Sequence, residues 1–247
     1  MDAVLVAGSF VGGSAAGAVL CTLTGRIVRP APPEPAPFEP AAEPGAVATV
    51  APSALAVRVP PKLEVAVSAL LTGLWFALGA IRIGDTPALG AYCALGVGLV
   101  AASVIDARDG IVPRVIVFPT LAVVCGALVA ASVADGQYRP LLDAAIGGAI
   151  AFCVFFALWW CFPRGIGYGD VRLAGLIGAA LSWLGFKELY IGFLFAFVTG
   201  TVLGVVLMVL RGTGRKTSLP FGPPLALGAA FGCFFGAWAL HLWLPHT

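Results

Sequence analysis

The chain has 247 residues, of which 60% are hydrophobic and only 11% charged, against roughly 25% charged in an ordinary soluble domain. With 14 basic and 12 acidic residues it cannot build a polar shell, so a soluble globule is excluded and the bilayer becomes the natural solvent. A net charge of +2 supplies no basic field for nucleic acid, and no heptad pattern suggests a coiled coil.

Apolar runs close to the roughly 20 residues needed to cross the hydrocarbon core predict an all-α, polytopic membrane bundle of about eight helices. The spans are about 3–23, 65–81, 88–106, 115–134, 141–162, 171–185, 189–210 and 222–243, the sixth being short. The first is read as a span, because its start carries Asp2 and no basic residue and its interior is rich in glycine. Between the first two spans, Arg29 to Pro61 holds 10 of the 19 prolines together with Glu34, Glu39 and Glu43. Proline at that density supports neither a helix nor a central strand, so the segment reads as an extended linker. The chain accordingly divides into a first transmembrane helix (1–28), a proline-rich linker (29–63) and a membrane core of about seven helices (64–247).

Alternating the loops puts eleven of the Lys and Arg residues on one side and only Arg82, Arg139 and Lys187 on the other. By the positive-inside rule the richer side is cytoplasmic. Both termini are then outside, and the linker and the loops near Asp106 and Asp170 face the cytoplasm. Six cysteines, Cys21, Cys93, Cys125, Cys153, Cys161 and Cys233, lie in or beside apolar runs with no C-x-x-C pair, and His241 and His246 stand alone near the C-terminus. No metal site is expected from them.

Two acidic residues stand at the cytoplasmic edge of a span, where a half-buried carboxylate is costly. Asp106 ends span 3 in Val104-Ile105-Asp106-Ala107-Arg108-Asp109-Gly110-Ile111-Val112-Pro113, and Asp170 opens span 6 in Gly167-Tyr168-Gly169-Asp170-Val171-Arg172. Paired carboxylates can do the work of an aspartic protease, one ionised to take a proton from water and one neutral to give a proton to the carbonyl. Simpler roles compete on spacing alone: a helix N-cap for Asp170 and a solvated turn charge for Asp106. Asp109 competes with Asp106, Arg108 and Arg172 read as anchors at the membrane surface, and Asp143 as a solvated or capping group. Phe155, Phe156, Trp159 and Trp160 read as interfacial belt and packing. Asp106 at a helix C-terminus and Asp170 at a helix N-terminus also predict that a shared proton resides mainly on Asp106.

Four motifs in order resemble the type IV prepilin leader peptidases, a family of polytopic membrane aspartic proteases. Asp106 followed seven residues later by Pro113 resembles the first catalytic motif, and Gly167-Tyr168-Gly169-Asp170 resembles the G-x-G-D signature. Leu219-Pro220-Phe221-Gly222-Pro223 resembles the approach to the last span, and Gly8-Ser9-Phe10 an N-terminal glycine-serine-phenylalanine motif. The seven-residue spacing favours Asp106 over Asp109. The largest departure is that the proline-rich linker stands where methylating members carry a cytoplasmic domain with two C-x-x-C pairs. Arg114 stands where Asp or Asn is usual, and Arg172 where Lys is usual.

The resemblance implies a multi-pass protein of the bacterial cytoplasmic membrane that cleaves the basic leader of type IV prepilin or pseudopilin precursors. Asp106 and Asp170 would be catalytic, with Gly167, Gly169, Arg172 and Pro113 in support. Proteolysis would need no cofactor. Methylation of the new N-terminus, with Gly8, Ser9 and Phe10 linked to it, would need S-adenosylmethionine. The alternatives are a small multi-span transporter or a pilus-assembly factor using the aspartates as proton, ion or binding sites, or a degenerate member that binds pilins without cutting them.

Overall fold

The computed structural model describes residues 3–27, 61–162, 166–211 and 221–243. The linker from 28 to 60, Arg164, Leu219 and Pro220, the basic residues Arg215 and Lys216, and His246 lie outside the described residues. Eight helices follow in order: α1 (Ala3–Ile27), α2 (Pro61–Ile83), α3 (Ala88–Asp109), α4 (Arg114–Asp135), α5 (Arg139–Cys161), α6 (Tyr168–Leu184), α7 (Phe186–Arg211) and α8 (Gly222–Trp243). Among the described residues there are no strands, and seven of the helices are long and apolar enough to cross a membrane. The exception is α6, whose 17 residues span about 26 Å against a hydrocarbon core of about 30 Å.

The helices outrun the predicted spans by up to four residues at an end, because their terminal turns accept polar residues that a hydropathy reading leaves out. Thus α2 begins at Pro61, a residue whose fixed φ suits the first helical position. At the other end of α3, Gly110 takes a left-handed conformation (φ 65°) and donates its N–H to the Asp106 carbonyl. That closes the helix as glycine commonly does.

Neighbouring helices pack as hairpins, most closely α1 with α2, α5 with α6 and α7 with α8. Small residues permit the close approaches: a methyl group on Gly192 or Gly228 would run into the backbone of the facing helix. This is how membrane helices associate when lipid offers no hydrophobic gain from burying a leucine.

The centre of the bundle is α3 and α6. Tyr92, Leu95 and Leu99 of α3 and Val171, Leu173, Leu176, Ile177 and Leu181 of α6 are fully buried. The Trp75 indole N–H donates to the Tyr92 carbonyl at 2.8 Å, and the Tyr92 hydroxyl donates to the Ala180 carbonyl at 2.7 Å. That chain of bonds ties α2, α3 and α6 together and fixes the relative height of the two helices that carry the aspartates. Outward-facing valines and leucines on α4, α5 and α7 are exposed in the isolated chain and form the lipid-facing surface.

Candidate active site

Asp106 lies in the last turn of α3 and Asp170 in the first turn of α6; the two side chains are 4% and 5% exposed, against a neighbouring Asp109 that is open to solvent. Gly169, next to Asp170, packs on Val112 in the turn that follows Asp106, so the two carboxylates stand at the same end of the bundle. Burial therefore separates Asp106 from Asp109, as the spacing to Pro113 does in the sequence.

Each buried carboxylate is held by a backbone N–H. Asp170 Oδ2 accepts from Gly167, the N-cap of α6, at 3.1 Å, while Oδ1 is buried with no hydrogen-bond partner among the described residues. Asp170 is therefore not the N-cap that the sequence suggested: Gly167 holds that place, and Asp170, three residues on, reaches back to its N–H as the acidic member of a capping box does, which leaves its second oxygen available. Asp106 Oδ2 accepts from Gly222, the first residue of α8, at 2.7 Å. The N-terminus of α8 therefore faces a carboxylate that itself sits at the C-terminus of α3. The two helix ends oppose one another at Asp106, so position on its own helix does not by itself distinguish Asp106 from Asp170.

The supporting residues fall into distinct roles. Gly169 packs against the turn between α3 and α4: a Cβ there would come within 2.7 Å of the Val112 Cβ and 3.0 Å of its carbonyl oxygen. Gly167 meets no such wall, its nearest neighbour being Asp170 Oδ2 at 3.4 Å. Pro113 is the N-cap of α4, in an extended conformation, and its carbonyl accepts from the Ile116 and Val117 N–H groups. It ends the short turn that presents Val112 to Gly169.

Arg172 is two residues from Asp170 on a helix, and residues so spaced do not face each other. Its guanidinium stands 4.3 Å from the ring centroid of Tyr168 and 5.6 Å from that of Phe118. The side chain thereby fastens the start of α6 to α4 through cation–π contact. Arg108 pairs with the buried Glu64 of α2, and Asp143 with Arg139 one turn away. Arg114 is exposed.

The aromatic cluster reaches the site as well. Phe155 is buried among Phe193, Phe197 and Phe221, the last being the residue before Gly222, and Trp159 packs on Tyr168 with ring centroids 5.1 Å apart. One end of α5 thus braces both backbone segments that hold the carboxylates. Phe221 and Gly222 stand within a motif quoted from the sequence, but their contact with Asp106 had no local signal beyond a glycine at the start of a span. Gly8, Ser9 and Phe10 lie elsewhere. Phe10 packs on Gly73 of α2, nine residues along the helix from Glu64, a separation of about 14 Å from the level of the Glu64–Arg108 pair.

Residues 93–205, which contain both aspartates, match the type IV leader peptidase family. The chain is also similar to proteins named prepilin leader peptidase/N-methyltransferase. It is 33% identical to that of Pseudomonas aeruginosa over 71% of this chain and 58% of the relative. To that of Aeromonas salmonicida it is 33% identical over 68% and 56%, and to that of Burkholderia pseudomallei 35% identical over 71% and 54%. The chain therefore spans little more than half the length of these relatives. No solved structure matches it. Through residues 93–205, the part of the membrane core that carries Asp106 and Asp170, the chain is thus similar to the type IV leader peptidases.

Proposed function

We propose that the chain is a membrane-embedded aspartic endopeptidase that removes the basic leader of type IV prepilin or pseudopilin precursors at the cytoplasmic face of the membrane. The observation that carries the reading is the pair of buried carboxylates, contributed by opposite helix ends and each accepting a backbone N–H from a glycine.

Two like charges in such a site favour sharing one proton. The ionised member takes a proton from water as that water attacks the scissile carbonyl, and the protonated member gives its proton to the carbonyl oxygen. Collapse of the tetrahedral intermediate then breaks the C–N bond: the leader keeps the carbon as a new C-terminal carboxylate, and the amine of the mature chain leaves, taking up a proton from the dyad. No covalent intermediate with the chain is needed. Asp170 Oδ1, which has no hydrogen-bond partner among the described residues, is available to receive the proton of water.

With both termini outside, the basic loops and the site lie together on the cytoplasmic side, where a precursor leader has not yet crossed the membrane. Methyl transfer to the new N-terminus would draw on S-adenosylmethionine. The placement of Phe10 against Gly73, away from the level of Arg108, supports a role for Gly8, Ser9 and Phe10 apart from the proteolytic step. The test is processing of a prepilin by the reconstituted chain, read as a mobility shift of the precursor. Asp106→Asn and Asp170→Asn should each insert normally and abolish the shift. Retained cutting by either variant would refute the dyad.

A further inference from the structure

A cavity of about 560 Å³ runs between α2, α3 and α8, with Ala107 and Arg108, the residues after Asp106, in its lining. Its walls are almost wholly apolar, and its rim, formed by Val67, Leu71 and Leu74 of α2 and Leu227 of α8, is exposed on the lipid-facing surface. The two flanking helices scarcely touch one another across α3, which forms the floor. The result is a slot that opens sideways into the bilayer.

Its two ends differ. Toward Phe234 it is apolar, whereas at the other end it closes on Arg108 and the buried Glu64. That polar end is also the active-site end. Ala107 and Arg108, which line it, follow Asp106 directly, and Pro223 follows the Gly222 that bonds Asp106. From Pro223 to Phe234 the slot extends about 17 Å along α8, or roughly three turns of a helix.

We infer that this slot between α2, α3 and α8 is where the apolar helix of the precursor docks, its leader junction brought to Asp106 by the polar Glu64–Arg108 end of the slot. The inference rests on the reading of the substrate as a prepilin-like precursor. Three observations select a peptide helix over an acyl chain. The slot stops at an ion pair, which repels hydrocarbon and marks the depth at which an apolar segment must give way to polar residues. Glu64 is a buried carboxylate paired with Arg108, yet its Oε1 has no hydrogen-bond partner among the described residues, and a basic leader places its own cations at that same level. Finally, the Ser103 hydroxyl lines the slot near that end and is buried without a hydrogen-bond partner among the described residues. A helix offers it carbonyl or side-chain oxygens; a lipid tail offers it nothing.

The experiment uses the full chain in proteoliposomes with an intact prepilin. A benzoylphenylalanine photo-crosslinker is placed at Leu74 on the rim or at Val129, an equally lipid-facing position on α4, in an Asp170→Asn background that holds the precursor uncut. An adduct of precursor mass is expected from Leu74 and none from Val129. In otherwise unchanged enzyme, Ala226→Phe, which narrows the slot, should raise KM for the precursor at least tenfold with little change in kcat. Equal adducts at both positions, no precursor adduct at Leu74, or a phospholipid adduct alone there would overturn the docking site. An unchanged KM in a normally inserted Ala226→Phe protein would do the same. If the unaltered chain fails to cut the precursor while Leu74 still crosslinks it, the protease reading falls and the docking site stands.

Discussion

The backbone N–H of Gly222 donates to Asp106 Oδ2 at 2.7 Å across 116 residues of sequence, and a Cβ on that glycine would sit 2.7 Å from the same oxygen. The bond and the absent side chain depend on each other. A hydrogen bond to a charged group is worth about 1.5–3 kcal/mol, so Gly222→Ala should slow precursor cleavage by about ten- to a hundredfold. Membrane levels should stay close to those of the unaltered chain, and steady-state kinetics on the reconstituted protein would measure the loss. Full activity in Gly222→Ala would mean that the contact does not position the carboxylate.

The two glycines of the G-x-G-D run should respond differently to the same change. Gly169→Ala pushes a methyl group into Val112 and its carbonyl, and so must shift the α3–α4 turn or the start of α6. Gly167→Ala meets only ordinary contact with Asp170. Processing should fall at least tenfold in the first variant and less than threefold in the second. Equal losses would indicate that the run is needed for something other than this approach.

Arg172 holds two aromatic faces, a geometry that a planar guanidinium fits better than an ammonium. Replacement by Ala should cost about 0.5–2 kcal/mol of stability, seen as a lower unfolding midpoint in detergent. Lysine should recover part of this. Were Arg172 acting instead through its charge on Asp170, Arg172→Lys would restore activity fully while Arg172→Ala would change the pH profile more than the melting point.

A dyad that works with one shared proton is inactive when both carboxyls are protonated and again when both are ionised. The pH profile of kcat/KM should therefore be bell-shaped, its limbs belonging to the pair and not to either residue. Activity that rose to a plateau with pH and never fell would remove the need for a carboxylic acid as proton donor.

At the opposite end of the bundle, Arg82 of α2 reaches the buried Glu188 of α7 at 3.6 Å. Removing the cation strands a buried carboxylate. Because Arg82 is itself partly exposed, the expected loss for Arg82→Leu is discounted to about 1–3 kcal/mol. Cleavage per folded molecule should be unchanged, since the pair lies a membrane thickness from Asp106. A specific loss of kcat at full stability would place the pair in the catalytic cycle instead.

What the sequence determined by itself was everything that follows from composition along the chain. Apolar runs of sufficient length must be membrane helices, because lipid leaves unpaired backbone no alternative. The eight helices stand where hydropathy put them, including a shortened sixth. Asp106 and Asp170 were conspicuous because a carboxylate at the end of an apolar run is costly, and their flanking glycines and proline carried the resemblance to a family. The tertiary structure decided what those residues touch. Nothing local tells that the first N–H of α8 points at Asp106, that Gly169 and not Gly167 is under steric constraint, or that Arg172 spends its charge on two rings. Helix formation in lipid is dictated residue by residue, through hydropathy and backbone satisfaction, whereas these contacts join segments up to 116 positions apart. They exist only once small residues have set how closely the helices approach and the Trp75–Tyr92–Ala180 bonds have set their relative height.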